Sequence, residues 1–202
     1  MVVVNHGKAL SNLYTSAKIT PYVVEFSLSL ERVMYYNPEK TWRDSWLSNT
    51  AGDVSFVDVY KVDGLRGIYV ASQIANGSMD KESVQPDDLV SLITFDQGGM
   101  WSKIQGPETD EEGFKFPQCS AQPAGCSLHL SQQLSKRFPT TRSIPILSSK
   151  SAPGIVMATG NMGSRLHHRS DVFISADAGL SWHQVRDSCL NVQNLLLLRI
   201  SD

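Results

Sequence analysis

An eight-residue pattern, (S/T)-x-D-x-G-x-x-W, occurs twice in this chain and limits its fold more than any other feature. TFDQGGMW occupies positions 94–101, and SADAGLSW occupies positions 175–182. Each copy follows an apolar run and precedes a short alternation of polar and apolar residues, which is typical of two strands joined by a tight turn. A hairpin-building pattern that recurs predicts repeated β-units.

Each position that defines the pattern has a structural role in such a hairpin. The Asp carboxylate accepts hydrogen bonds from backbone N–H groups of the turn. The Gly adopts positive φ without a Cβ clash, and the Trp begins the next strand and covers the hairpin, so we expect both tryptophans to be largely buried. We assign these roles to Thr94, Asp96, Gly98 and Trp101 in the first copy and to Ser175, Asp177, Gly179 and Trp182 in the second.

Composition favours an ordinary globular chain and argues against several partners. The 202 residues are 41% hydrophobic and 19% charged, with a formal net charge of −2. This charge balance provides no strongly basic surface that would attract nucleic acid. No apolar run approaches the ~18 residues of a membrane span, so we expect no direct membrane contact by this segment.

The rest of the chain alternates strand-like runs with turn signals, which predicts an all-β fold built from propeller blades. Asp96 and Asp177 lie 81 residues apart, whereas one blade of this kind takes about 40–50 residues. Two explanations remain open. Either a large insertion separates two neighbouring blades, or a blade without the motif lies between them.

The cysteines leave a second question open. Cys119 and Cys126 lie seven positions apart in a loop with Pro and Gly between them, and Cys189 is the third cysteine. The spacing suits a local disulfide, which implies an oxidising compartment, but it suits two free thiols equally. We expect no zinc site, because His129 is the only other soft ligand nearby.

The pattern is the Asp-box, which occurs in sialidases and in sortilin-type receptors. Over residues 10–185 the chain resembles the luminal ten-bladed propeller of the sortilin family of sorting receptors. The segments that carry the resemblance are FSLSLE at 26–31, VDGLRGIY at 62–69, ITFDQGG at 93–99, CSLHL at 126–130, SAPG at 151–154 with ATG at 158–160, and VFIS at 172–175.

The resemblance implies a partial β-propeller of about three blades in residues 1–185, followed by a divergent tail in residues 186–202. It implies a non-enzymatic receptor segment on the luminal side of Golgi, endosomal and plasma membranes. Its partners are peptide or protein cargo of the full-length receptor, and it needs no cofactor or metal. The resemblance also implies a Cys119–Cys126 disulfide and glycosylation at Asn76, which begins an Asn-Gly-Ser sequon.

The ends of the chain differ from the family pattern. Residues 1–5 lack the features of a signal peptide and resemble an internal strand, and taken alone they favour the cytosol. Residues 186–202 show neither strand alternation nor turn chemistry. We therefore expect a truncated or partial product.

An enzyme is the alternative, since sialidase-type glycosidases share the Asp-box. That chemistry needs three arginines around a carboxylate, a Tyr nucleophile and a supporting acid. Arg66 and Arg142 qualify only by residue type. Ser127 and His129 would also need an orienting acid to form a triad, and the sequence cannot place one. We assign no catalytic residue, and the sequence does not identify the ligand contacts.

Overall fold

The computed structural model describes residues 1–6, 10–37, 54–75, 84–117, 119, 125–136, 145–167 and 170–185. These residues form two antiparallel sheets, of eight and five strands. In chain order the strands are β1 Val2–Asn5, β2 Leu10–Ile19, β3 Val24–Tyr36, β4 Phe56–Val57, β5 Val59–Lys61, β6 Tyr69–Ile74, β7 Leu89–Thr94, β8 Ser102–Lys103, β9 Ser127–Leu130, β10 Leu147–Ser149, β11 Ala152–Gly163, β12 Asp171–Ser175 and β13 His183–Val185.

Two four-stranded antiparallel units repeat the same order. Strands β5-β6-β7-β8 form blade II, and strands β10-β11-β12-β13 form blade III. In both, an Asp-box turn joins the third strand to the fourth. Strands β1-β2-β3 form a third antiparallel unit, blade I. The arrangement is that of a partial β-propeller.

Strand β3 pairs with strands of both blade I and blade II, because a β-bulge changes its direction part-way along. Ser11 pairs with Val33 and Leu13 pairs with Leu30, so β3 carries one extra residue at this point. Arg32 has a φ of 59°, and its backbone N–H donates to Asn12 Oδ1 at 3.1 Å. Beyond the bulge, β3 pairs with β4 and β6, which joins blades I and II in one sheet.

A shared core shows that blades II and III are neighbours, so the long spacing between the Asp-boxes is an insertion. Within the described part of residues 104–146, strand β9 pairs with β11, and Gln133–Lys136 form a helical turn. A single hydrophobic cluster contains residues of both blades and of the insertion, namely Val62, Ile68, Val70, Ile93, Ile104, Phe116, Leu128, Leu130, Ile146, Val156, Ala158, Met162, Phe173, Ala178 and Trp182.

Blades I and II share a smaller core. Leu13 and Leu30 of blade I pack with Ala71 of blade II, and Leu92 and Trp101 lie against them. A third cluster closes one end of the sheet, where the rings of Tyr36 and Phe56 stack with centroids 5.1 Å apart. Each blade therefore buries apolar surface against the next, as stacked repeat units require.

Some predictions fall outside the described residues. Asn76, the tail 186–202 and Cys189 all lie there, so the division of the chain after residue 185 stays a prediction. Among the residues that are described, no helix has the length and apolar character needed to span a bilayer.

Candidate functional site

The first Asp-box turn is closed by hydrogen bonds among its own residues. Thr94 Oγ1 donates to Asp96 Oδ1 at 2.7 Å and accepts from the Gly98 N–H at 3.0 Å. Asp96 Oδ1 also accepts from the Met100 N–H at 2.9 Å. The carboxylate and the hydroxyl thus satisfy backbone donors that the tight turn leaves without ladder partners.

The second turn repeats these bonds with serine in place of threonine. Ser175 Oγ donates to Asp177 Oδ1 and accepts from the Gly179 N–H, both at 2.8 Å. Asp177 Oδ1 accepts from the Ser181 N–H at 2.8 Å, and Asp177 Oδ2 accepts from Ser181 Oγ at 2.6 Å. The second carboxylate therefore has one more side-chain donor than the first.

Hydrogen bonding holds both carboxylates in their charged form. The pKa of Asp177 is lowered to about 2, first by the Ser181 hydroxyl and then by the Ser181 backbone N–H. The pKa of Asp96 is also lowered, chiefly by the Met100 backbone N–H and the Thr94 hydroxyl. A carboxylate with a depressed pKa is a good fixed acceptor and a poor general acid.

A second contact anchors each Asp-box turn to a glycine at or just before the start of the second strand of its blade. The Gln97 N–H donates to the Gly67 carbonyl at 2.9 Å, and the Ala178 N–H donates to the Gly154 carbonyl at 2.8 Å. Gln97 and Ala178 both have a φ of 65°, although neither is glycine. Sequence analysis missed these two positions, because the motif allows any residue there.

The two tryptophans differ, contrary to our expectation that both are largely buried. Trp182 is 2% exposed, and its Nε1–H donates to the Gly179 carbonyl at 3.1 Å. Trp101 is only half-buried. Its Nε1–H donates to Ser29 Oγ at 3.0 Å, and Ser29 in turn donates to the Gly98 carbonyl. A serine of blade I therefore lies between the indole and the turn.

The pair Cys119–Cys126 forms a disulfide, with Cα atoms 5.1 Å apart. This confirms the pairing that the family resemblance implies. Both cysteines pack against the core shared by blades II and III. The bridge therefore closes the insertion loop over the boundary between the two blades.

His129 is fully buried between blades II and III and is held by both. Its Nδ1 accepts from the Ser91 N–H of β7 at 3.0 Å, so the ring proton lies on Nε2 and is directed at the Gly163 carbonyl of β11, 3.1 Å away. Burial lowers the pKa of His129 to about 4. Ser127 Oγ lies 3.2 Å from Nε2 but is itself buried, and the ring contacts described include no carboxylate. The geometry is that of a core histidine and not of a catalytic dyad.

A surface cavity of about 230 Å³ lies beside β12 and β13. Among the described residues its lining consists of Asp110, Glu111, Glu112, Asp171, Val172, Gln184 and Val185, of which four are acidic and none is an arginine. A sialidase site needs converging arginines, so this cavity has the wrong charge for that chemistry. Arg66 is exposed elsewhere, and Arg142 is outside the described residues. In the described ranges, no group of three or more His, Cys, Asp or Glu residues is placed to hold a metal ion.

A comparison with known families agrees with the paired Asp-box blades. The family model for Sortilin-Vps10, described as "Sortilin, neurotensin receptor 3", matches residues 1–193. This chain belongs to the sortilin–Vps10 family. The match includes both Asp-boxes and the disulfide, and it continues past residue 185. The family is non-enzymatic.

Individual relatives support the same family assignment. The sortilin-related receptor of Homo sapiens is 41% identical over 184 residues, covering 91% of this chain and 8% of the relative. The vacuolar protein sorting/targeting protein 10 of Chaetomium globosum is 39% identical over 134 residues, covering 65% of this chain and 8% of the relative. The VPS10 domain-containing receptor SorCS3 of Mus musculus is 38% identical over 138 residues, covering 67% of this chain and 10% of the relative. The chain thus spans a tenth or less of each relative's length.

Proposed function

We propose that this chain is a segment of a ligand-binding propeller in a sorting receptor, and that the full receptor binds peptide or protein cargo in the lumen of Golgi and endosomal compartments. The observation that supports the proposal most is the pair of stacked Asp-box blades within a family match over residues 1–193. The Asp-box residues, His129 and the cysteine pair are all bonded to other residues of the chain. The segment therefore acts as a scaffold that presents a surface and not as a catalyst.

The luminal assignment rests on the chemistry of the insertion. A disulfide between Cys119 and Cys126 persists in oxidising compartments and is rare in the cytosol. The Asn-Gly-Ser sequon at Asn76 becomes a glycosylation acceptor in the same compartment.

A chimeric receptor tests the proposal. Residues 1–185 replace the matching segment of the human sortilin-related receptor, and the chimera is expressed in mammalian cells. We expect export from the endoplasmic reticulum, a glycan that is lost in the Asn76→Gln variant, and binding of the receptor's own peptide ligands.

Retention of the chimera in the endoplasmic reticulum argues against a blade role for the segment. Export without ligand binding keeps the blade role but removes the claim that this segment supports cargo recognition. The matched control is the chimera carrying Asp177→Ala, which breaks the second Asp-box turn and is expected to be retained.

A further inference from the structure

The interface between blades II and III has an apolar part and a polar part. Val70 pairs with Ile93 and Ser72 pairs with Ser91, so all four side chains lie on one face of β6 and β7. Val70 and Ile93 belong to the core that blade II shares with blade III. Ser72 and Ser91 are also buried. A buried hydroxyl needs a hydrogen-bond partner, so another segment must supply one.

Residues 127–134, here called the crossing segment, supply these partners by running across blade II. The Leu128 N–H donates to the carbonyl of Ile104, which directly follows β8, at 3.0 Å. The Leu130 N–H then donates to Ser91 Oγ of β7 at 2.8 Å. The segment thus begins at the last strand of the blade and moves to the third.

The crossing segment continues over the remaining strands of blade II. Gln132 Nε2 donates to Ser72 Oγ of β6 at 3.0 Å. The Leu134 N–H donates to the Asp58 carboxylate, between β4 and β5, at 3.3 Å and 3.4 Å to its two oxygens. The segment therefore contacts blade II in the order of its sheet, from β8 to the start of β5.

The other edge of the crossing segment belongs to blade III. Strand β9 pairs with β11 along its whole length, and the Ser131 N–H extends this ladder with a bond to the Thr159 carbonyl at 2.8 Å. The segment is thus held to blade III by a continuous backbone ladder and to blade II by single bonds, most of them to side chains. Detachment from blade II breaks fewer backbone bonds than detachment from blade III.

His129 is the titratable residue of the crossing segment. Its Nδ1 accepts the Ser91 N–H at 3.0 Å, and Ser91 Oγ accepts the Leu130 N–H. A proton on Nδ1 turns this acceptor into a donor that faces the Ser91 N–H. Protonation therefore acts on the residue of β7 that holds the segment by two bonds.

The surroundings of the ring oppose its protonation while the segment is in place. Burial lowers the pKa of His129 most, and the positive charges of Lys103 on β8 and His167 after β11 lower it further, against an opposing effect of the Gly163 carbonyl. Asp58 is the other titratable group that touches the segment, at its far end. The ring thus takes a proton more readily once it is released to water.

We propose that the crossing segment is an acid-sensitive latch, in which protonation of His129 detaches residues 127–134 from blade II while both blades stay folded. The buried core residues that the two blades share include none that titrates, so the apolar part of the interface remains packed. Ile93 of blade II then still lies against Gly179 of blade III. The inference rests on this interface and is independent of cargo binding.

Acid shifts the balance between the attached and detached forms by linkage. The pKa of His129 is lowered to about 4 in the attached form, against 6.5 ordinarily. Because the detached form binds a proton more readily, lowering the pH from about 7.4 to about 5 should favour it about 25-fold.

Hydrogen exchange with mass spectrometry on the full, disulfide-bonded chain tests the latch. Rates at the two pH values are divided by the intrinsic rates of the same peptides, which gives an opening equilibrium for each peptide. We expect a peptide over residues 127–136 to open about 25-fold more at the lower pH. A peptide over residues 172–182, which contains β12 and the second Asp-box, should be better protected at both pH values, because the blades stay folded when the segment detaches.

Two variants identify the group responsible. His129→Gln offers a neutral acceptor that takes no proton, so its 127–136 peptide should open to nearly the same extent at both pH values. His183→Gln, the same substitution at an exposed position on β13, is the matched control. Lys103→Gln keeps the histidine and removes an exposed positive charge, so at low salt its acid-driven opening should be smaller than that of the wild type.

Several outcomes contradict the latch. Equal protection of the two peptides would show that only the whole chain opens. A 127–136 peptide whose opening does not change with pH, a His129→Gln variant that responds as the wild type does, or a Lys103→Gln variant that responds more strongly would each overturn the proposal. The wild-type and Lys103→Gln measurements change no buried residue, so the test stands even if His129→Gln fails to fold.

Discussion

Gly179 of the second Asp-box lies against Ile93 of the preceding blade, so close that a Cβ atom on Gly179 would come within 2.8 Å of Ile93 Cδ1. Gly179 also has a φ of +98°. The glycine of the motif thus serves two purposes at once. It permits the turn conformation, and it lets blade III approach blade II.

Gly179→Ala should destabilise the chain by about 3 kcal/mol, because backbone strain adds to a steric clash with a core side chain. Gly113→Ala is the matched control, since Gly113 has a φ of +84° and a Cβ atom added there would meet no other atom within 4 Å. The control should lose only the backbone part, about 1 kcal/mol. Urea unfolding followed by tryptophan fluorescence measures both. Equal losses in the two variants would show that the approach to Ile93 does not matter.

The carboxylate of Asp177 should matter for stability through its charge. Its pKa is lowered to about 2 in the folded chain, against 3.8 ordinarily, so its contribution is present above pH 3.8 and is lost as the pH falls towards 2. Asp177→Asn should lower the thermal midpoint at neutral pH and flatten the acid limb of the stability curve. The comparison is Asp87→Asn, the same substitution at an exposed site. A steep acid limb retained in Asp177→Asn contradicts this account.

His129 should make the chain sensitive to a different pH range. Its pKa is lowered from 6.5 to about 4 by burial, so the unfolded chain binds a proton more readily than the folded chain between these values. Stability is therefore complete above pH 6.5 and declines by up to about 3 kcal/mol as the pH falls to 4. Protonation of Nδ1 also displaces the Ser91 N–H.

His129→Gln separates this effect from other titrations. The variant should be less stable at neutral pH but should show a smaller decline in unfolding free energy between pH 6.5 and pH 4. His183→Gln, the same substitution at an exposed position, serves as the control. If the slopes of all three proteins agree, His129 is not the group responsible.

The Cys119–Cys126 bridge should stabilise the insertion between the blades. Removing it with Cys119→Ser and Cys126→Ser should cost about 2 kcal/mol, because the short loop gains freedom in the unfolded chain. Thermal unfolding with and without reductant measures the loss. Cys189→Ser is the control and should respond to reductant as the wild type does. A wild-type chain that is unaffected by reductant would show that the bridge makes no contribution.

The Asp-box hairpins were predictable from sequence because their bonds are local. Thr94, Asp96 and Gly98 contact one another within a few residues, so the order of residue types is enough to specify the turn. The burial of Trp101 was not predictable in this way. Ser29, which accepts its indole N–H, lies 72 positions away and belongs to another blade.

The insertion between blades II and III also could not be predicted from local sequence. Spacing alone left open whether a blade lies between Asp96 and Asp177, and a shared core of blades II and III resolved the question. The pairing of Cys119 with Cys126 was implied by the family resemblance, whereas loop spacing was compatible with free thiols.

Short-range chemistry, read from residue order, was enough to specify the all-β class and the two Asp-box turns, whereas the family was indicated by the resemblance of several longer segments. The class and the turns depend on hydrogen bonds and φ preferences within about eight residues. Tertiary packing determined that blades II and III touch and that His129 is neutral and bridges them. These features depend on which distant strands share a core, and burial changes the energy of a side chain only after that neighbourhood has formed.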